Sequence, residues 1–269
     1  MTLYYYDSIT LFIEGGIMAV IISLANQKGG VGKTTSAITL AAALHKESKK
    51  VLLVDLDPQG SLTDYMGHVA DELEPTIYNV ILEKLPISNA IIQGEVDLLP
   101  SNIDLSQAEV LLMGRLEREH VLRKALKPVE ENYDFIIIDC PPSLGILNYN
   151  ALVASAYIII PVMTDYLSMR GIKLLLQTVE SVKEGPNPGL EILGILPTFH
   201  EPKTVHCTQV LEKIRASFSD QFKVFPPINK SVKFKEAPVS GHSILAYSPQ
   251  THGAEVYQRI AREVINNVR

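Results

Sequence analysis

Lys28-Gly29-Gly30-Val31-Gly32-Lys33-Thr34-Thr35 is the stretch on which the reading of this 269-residue chain turns: a glycine-rich loop with a lysine at each end. The ordinary phosphate-loop pattern, G-x-x-x-x-G-K-[ST], requires glycine five places before Gly32. This chain has Gln27 there, so the strict pattern fails and a second lysine, Lys28, stands out instead. The preceding run Ala19-Val20-Ile21-Ile22-Ser23-Leu24-Ala25 is almost unbroken apolar sequence, which predicts a parallel strand covered on both faces. After the loop, Ala37 to Leu44 is rich in good helix formers, and Ile38, Ala41, Ala42 and His45 fall at helical spacing.

A strand feeding a glycine loop that opens a helix aims backbone N–H groups and the positive end of the helix dipole at one small volume. Phosphate binds in such a place. Gly29, Gly30 and Gly32 let the chain curl closely around the anion. Lys33 is then placed to reach the β and γ phosphates, and the Thr34 hydroxyl to ligate Mg²⁺. The competing reading is a plain glycine turn carrying solvent-facing lysines. The agreement of strand, loop, Lys-Thr pair and helix weighs against it.

Length and composition narrow the class. The chain suits one α/β sheet with helices on both sides. A net charge of −6 and a pI near 5.7 exclude a uniformly basic nucleic-acid binder but leave room for a local basic patch. Cys140 and Cys207 form no metal-ligand spacing and suit a reducing cytoplasm. No run approaches the roughly 18 apolar residues of a membrane span. Residues 1–17 lack the positive start of a signal peptide and precede Met18, directly before the first expected strand. They are expected to be an N-terminal extension outside the core, or else a short docking arm.

Two further apolar runs end in acids. Val51-Leu52-Leu53-Val54 leads into Asp55-Leu56-Asp57-Pro58-Gln59-Gly60, and ligands of open α/β sheets sit beyond the carboxyl ends of strands, so these acids face the phosphate loop. Pro58 and Gly60 argue against continued strand or helix, which predicts a mobile loop holding carboxylates. Phe135-Ile136-Ile137-Ile138 leads into Asp139-Cys140-Pro141-Pro142-Ser143. An acid after a buried strand is what an NTPase uses to hold Mg²⁺, a hard cation that wants oxygen ligands; an Asp ending a strand is otherwise a common turn residue.

Strand and helix continue to alternate: Tyr157 to Pro161 and Ile192 to Leu196 as strands, Leu167 to Val182 and Val205 to Phe218 as helices. Ala254 to Val268 carries Val256, Tyr257, Ile260, Ala261, Val264 and Ile265 on one stripe. Its polar face mixes Glu255, Arg259, Arg262 and Glu263, which favours a helix packed on the sheet over one lying on a membrane. Gly185-Pro186-Asn187-Pro188-Gly189 reads as a loop. The whole is expected to be an α/β fold, a single P-loop NTPase domain over 18–269 with a mostly parallel central sheet of about six to eight strands, helices on both faces and right-handed crossovers.

Lys28-Gly-Gly-Val-Gly-Lys33-Thr-Thr, Asp55-x-Asp57-Pro-Gln-Gly and Ile138-Asp139-Cys-Pro-Pro-Ser together resemble the deviant-Walker P-loop ATPases of the ParA/MinD family. Within it the chain is most similar to the short chromosomal, Soj-like ParA proteins that partition DNA. The likeness runs almost throughout from Met18. It takes in Pro100-Ser101-Asn102-Ile103-Asp104-Leu105, Gly194-Ile195-Leu196-Pro197-Thr198, Lys235-Glu236-Ala237-Pro238 and Gly253-Ala254-Glu255-Val256-Tyr257.

The resemblance implies roles for matching positions, with ATP and Mg²⁺ as cofactors bound along 28–35. Lys28 would be the signature lysine, which in this family crosses to the phosphates of the partner subunit in a dimer that sandwiches two ATP molecules. Lys33 would hold phosphates within its own subunit, and Thr34 would bind Mg²⁺. Asp57 would position or activate the attacking water, Asp55 would assist near the metal, and Asp139 would be the second strand-end acid beside Mg²⁺. Independently, phosphoryl transfer needs charge neutralisation and an aligned water more than covalent steps, which two lysines, Mg²⁺ and Asp57 supply. Turnover is expected to be slow without a ParB-type partner.

From Lys203 to Lys235 the bases are Lys203, Lys213, Arg215, Lys223, Lys230, Lys233 and Lys235, against Glu212 and Asp220, a local excess of five positive charges. Such clustering suits sequence-blind phosphate-backbone binding, and equally a solvated helix face with a loop. Soj-like proteins carry arginines implicated in nonspecific DNA binding at positions matching Lys203, Lys230 and Lys233. Lysines keep the charge and lose bidentate geometry. The expected partners are therefore a second copy on ATP binding, nonspecific double-stranded DNA and a ParB-type centromere-binding protein, in the cytoplasm at the nucleoid, with no stable membrane association. A ParA-like positioner of a protein cargo shares these motifs. A MinD-like membrane ATPase needs a basic amphipathic tail that Asn266-Asn267-Val268-Arg269 does not supply. Among enzymes of the same fold, an iron protein needs closely placed cluster cysteines, and amidating or carboxylating relatives need an organic-substrate pocket for which no motif appears.

Overall fold

The computed structural model describes residues 18–166, 168–240 and 243–268. The extension at 1–17 lies outside them. Six strands, Val20–Leu24 (β1), Val51–Asp55 (β2), Asp97–Leu99 (β3), Phe135–Asp139 (β4), Tyr157–Met163 (β5) and Glu191–Thr198 (β6), form one sheet in the order β3-β2-β4-β1-β5-β6. Every pairing between these strands is parallel, and one isolated antiparallel bridge, Ile92 to Leu98, sits at the β3 edge, in keeping with the mostly parallel sheet expected.

Alternate residues of each strand enter opposite cores. Ile21, Leu52, Val54, Ile136 and Ile138 face one, while Ile22, Leu53 and Ile137 face the other. Burial on both faces is why these strands read as continuous apolar runs instead of alternating ones.

The helices are Lys33–Lys46 (α1), Ser61–Tyr65 (α2), Ile77–Leu82 (α3), Ser106–Met113 (α4), Val121–Leu126 (α5), Ile146–Ala154 (α6), Ser168–Glu184 (α7), Val205–Phe218 (α8), Lys233–Val239 (α9), Ile244–Tyr247 (α10) and His252–Asn267 (α11). The core under α1 and α11 buries Ala37, Ile38, Leu40, Ala41 and Leu44 together with Ala254, Tyr257, Ile260, Ala261 and Val264. The buried face of α1 is therefore wider than the expected stripe, and His45 is exposed, because α1 is wedged between the sheet and α11. Ser36 Oγ and Tyr257 hydroxyl share a 2.6 Å hydrogen bond across that seam. The terminal helix thus packs on the fold, as its mixed polar face implied.

Register sets up the site. Leu24 and Asp55 both lie opposite Asp139, so the end of β1 and the two acids stand in a row at the carboxyl edge of the sheet.

The loop after β2 is not the open, mobile segment expected. Gly60 takes φ 62°, and Ser61 begins α2 at once. Asp55 closes the turn, Oδ2 accepting from Thr63 N at 2.9 Å and Thr63 Oγ1 at 2.7 Å, and Oδ1 from Asp57 N at 3.1 Å.

Candidate nucleotide site

The loop 28–35 runs from β1 into α1, with Gly30 at φ 71° and Gly32 at φ 85°, a left-handed backbone open to glycine and costly for other residues. Gly32 offers no side-chain cap to α1, so the first-turn N–H groups of this 14-residue helix are left to an anion. Asn26 braces the entry: Nδ2 donates to Pro161 O at 2.7 Å, and Oδ1 accepts from Lys28 N at 3.0 Å. Thr198 Oγ1 donates to Val31 O at 2.8 Å, tying the end of β6 to the middle of the loop.

The two lysines part company. Lys33 is only 6% exposed, and Nζ donates back to Lys28 O at 3.2 Å. Burial holds its pKa below the ordinary lysine value, while Asp139, Cys140 and Asp57 pull the other way. Lys28 instead places its ammonium on Asp165 Oδ2, with a third of its side chain exposed.

Asp139 is 1% exposed, and among the described residues neither carboxylate oxygen has a hydrogen-bond partner meeting ordinary geometry. Burial, aided by repulsion from Asp55, pushes its pKa well up, against the pull of the Thr34 hydroxyl and Lys33. A buried carboxylate without partners is expensive unless a cation or its water completes it. With the Thr34 hydroxyl alongside, the oxygen donor set fits Mg²⁺. Asp55 is fully buried, and burial raises its pKa to about 6. Its oxygens already serve Thr63 and Asp57, so it shapes the loop. Asp57 is partly exposed, and its Oδ1 accepts from Gln59 N at 3.0 Å in a tight turn, leaving Oδ2 free of protein donors among the described residues. Burial drives the Cys140 thiol far up, so it stays protonated and unreactive.

The sequence reading missed Asp165 and Asn26, and gave Thr198 only as part of the motif Gly194 to Thr198. Asp165 follows β5 as Asp55 and Asp139 end their strands, and the same strand-end rule points to it.

The lysine cluster looks different in space. Lys230 pairs with Glu201 at 2.7 Å, Lys233 with Glu236 at 2.8 Å and Tyr247 hydroxyl donates to the same Glu236. Lys223 pairs with Glu263, Arg215 with Glu212 at 2.9 Å, and Lys213 lies over the Tyr166 ring at 5.7 Å. Glu201 and Glu236 sit just outside the window from Lys203 to Lys235, which is why a count along the chain overstates the patch. Lys203 is exposed ahead of α8 and has no ion pair among the described residues.

An AAA-domain family model matches residues 19–192, more than half of the chain. The chain belongs to that family. It is a ParA-like P-loop ATPase, and ATP with Mg²⁺ are its cofactors. It is 42% identical over 254 residues to the sporulation initiation inhibitor protein Soj of Bacillus subtilis, covering 93% of this chain and 100% of that one. The crystal structure of cobyrinic acid a,c-diamide synthase from Mycobacterium smegmatis with bound ATP analogue and magnesium superposes with TM-score 0.80 at 36% identity, over 93% of this chain and 97% of that one. The ATP complex of a point variant of Cyanothece McdA superposes with TM-score 0.84 at 26% identity, over 93% of this chain and 98% of that one.

Proposed function

We propose that this ParA-like ATPase is a DNA-partitioning switch. Nucleotide binding assembles a homodimer sandwiching two ATP molecules, the dimer holds double-stranded DNA without reading its sequence, and hydrolysis stimulated by a ParB-type partner releases it. The observation that carries this reading is the divergence of two lysines in one loop. Lys33 lies inside its own cradle beside Asp139, whereas Lys28 lies on the rim against Asp165, where a second copy can take it. The kinship with Soj supports the same direction.

In this scheme Lys28 and Lys33 hold phosphate charge, one from each subunit, and the N–H groups from Gly29 to Thr35 line the anion. Thr34 and Asp139 hold Mg²⁺ with Asp55 behind them; bound there, the metal neutralises charge on the phosphates. Asp57 accepts from and orients the attacking water. Lys203, Lys230 and Lys233 contact the duplex backbone. The protein would work in the cytoplasm at the nucleoid; among the described residues no helix is long and apolar enough to cross a membrane.

Light scattering after size exclusion tests the switch: a dimer with a nonhydrolysable ATP analogue and a monomer with ADP are expected, and a monomer in both would refute it. The diamide synthase neighbour raises ATP-dependent amidation as a second reading. Turnover that rises with duplex of arbitrary sequence and ignores added cobyrinic acid supports partitioning; the opposite response supports amidation.

A further inference from the structure

The end of β6 joins the phosphate loop to Lys230 in three residues. Thr198 Oγ1 holds Val31 O, and the next residue, Phe199, packs its ring on Gly32, where an added Cβ would lie 3.4 Å from Phe199 Cε2. Phe199 takes φ 50°, a left-handed backbone rare for an aromatic residue and a mark of imposed geometry. That bend turns His200 onto the segment ahead of α9. His200 N donates to Ile228 O at 3.0 Å, and Lys230 N donates to His200 O at 2.9 Å. Glu201 then reaches back to Lys230 Nζ at 2.7 Å.

No other candidate DNA lysine is wired in this way among the described residues. The acid partner of Lys233, Glu236, sits on its own helix α9, three residues on.

We propose that Glu201 is a gate on Lys230, opened from the phosphate loop. The closed pair presents a carboxylate to any approaching phosphate backbone and holds the ammonium beside it. Phosphate seated at Val31–Gly32 shifts the Thr198–Phe199 bend from the position seen here, and that shift carries Glu201 away and leaves Lys230 to the duplex. The gate rests on the reading of this face as a DNA surface. An exposed pair shifts an equilibrium by only about two- to fivefold, so it tunes binding and leaves the dimer as the main control.

The test has two arms on the full chain. In the first, lysines are acylated at limiting reagent without DNA, and Lys230 is quantified by peptide mass spectrometry. Wild-type labelling of Lys230 should rise about two- to fivefold with Mg²⁺ and a nonhydrolysable ATP analogue. In Glu201→Gln it should be high with or without nucleotide, while Lys223, paired with Glu263, stays constant in both proteins. Unchanged or reduced Lys230 labelling in wild type on adding nucleotide would overturn the gate. In the second arm, Glu201→Gln should tighten binding to a mixed-sequence duplex more without nucleotide than with the ATP analogue. Equal tightening in both conditions would show a fixed counter-charge and overturn the gate. If wild type binds no duplex with ATP while the labelling still responds, the DNA reading fails and the gate stands.

Discussion

The phosphate loop and the segment from Lys203 to Lys235 both carry lysines, and the protein treats them in opposite ways. In the loop, Lys33 is buried beside an unpartnered carboxylate, glycines hold a left-handed backbone, and α1 leaves its first N–H groups uncapped. Charge and donors are gathered in one place before any ligand arrives, at a cost in desolvation. On the basic segment the lysines are exposed, and Lys223, Lys230 and Lys233 rest on Glu263, Glu201 and Glu236. A preorganised buried cradle suits tight, geometry-dependent binding, whereas an exposed and partly neutralised surface suits weak, sequence-blind contact that can be released. In the proposed cycle the difference separates the part of the molecule that commits to a ligand from the part that must let go.

Removing the buried lysine should give the largest effect. Lys33→Ala is expected to weaken ATP binding by about 3 kcal/mol, on the order of a hundredfold, because a desolvated charge partner is lost, and calorimetric titration will read it. Loss of less than threefold would place Lys33 outside the cradle. Next, Asp139→Ala should remove most of the Mg²⁺-dependent part of the thermal shift that ATP produces, measured by comparing the melting temperature with and without the metal. An undiminished Mg²⁺ increment would take Asp139 out of the metal site.

The basic surface should respond in a salt-dependent way, because its contacts are weak to begin with. Lys230→Glu with Lys233→Glu should abolish measurable duplex binding at physiological salt. Retitration at low salt should show the slope of log affinity against log salt reduced by about 2, as expected for two lost phosphate contacts. Unchanged binding would move the DNA face elsewhere. The smallest effect belongs to the scaffold behind both regions: Tyr257→Phe, which removes the hydroxyl bonded to Ser36, should lower unfolding free energy by about 1 kcal/mol in denaturant melts and leave ATP affinity unchanged.

The cradle was more legible in the sequence than the surface, for a physical reason. Strands buried on both faces must be apolar runs, so β1, β2 and β4 and the acids that end them announce themselves along the chain. Strand β3, with three residues at the sheet edge, and the short helices α2 to α5 carry too little periodicity to stand out. Pro58 and Gly60 pointed to a mobile loop because nothing local reveals that Asp55 reaches forward to Thr63 and pins the turn. Lys28 was visible, but its partner Asp165 lies 137 positions away. The pairs that mute Lys230 and Lys233 were cut off by the edge of the counted window. Charge read along the chain is not charge read across a surface.

The central claim is that Lys28 completes the site of a second copy. Mixing Lys28→Ala protein with Asp57→Ala protein and measuring ATP hydrolysis tests it most directly. If Lys28 acts across the interface, each mixed dimer contains one complete site, and an equal mixture should recover about a quarter of the wild-type rate, the share of sites that random pairing completes. A mixture no faster than the two variants measured separately would contradict the account and return Lys28 to its own subunit.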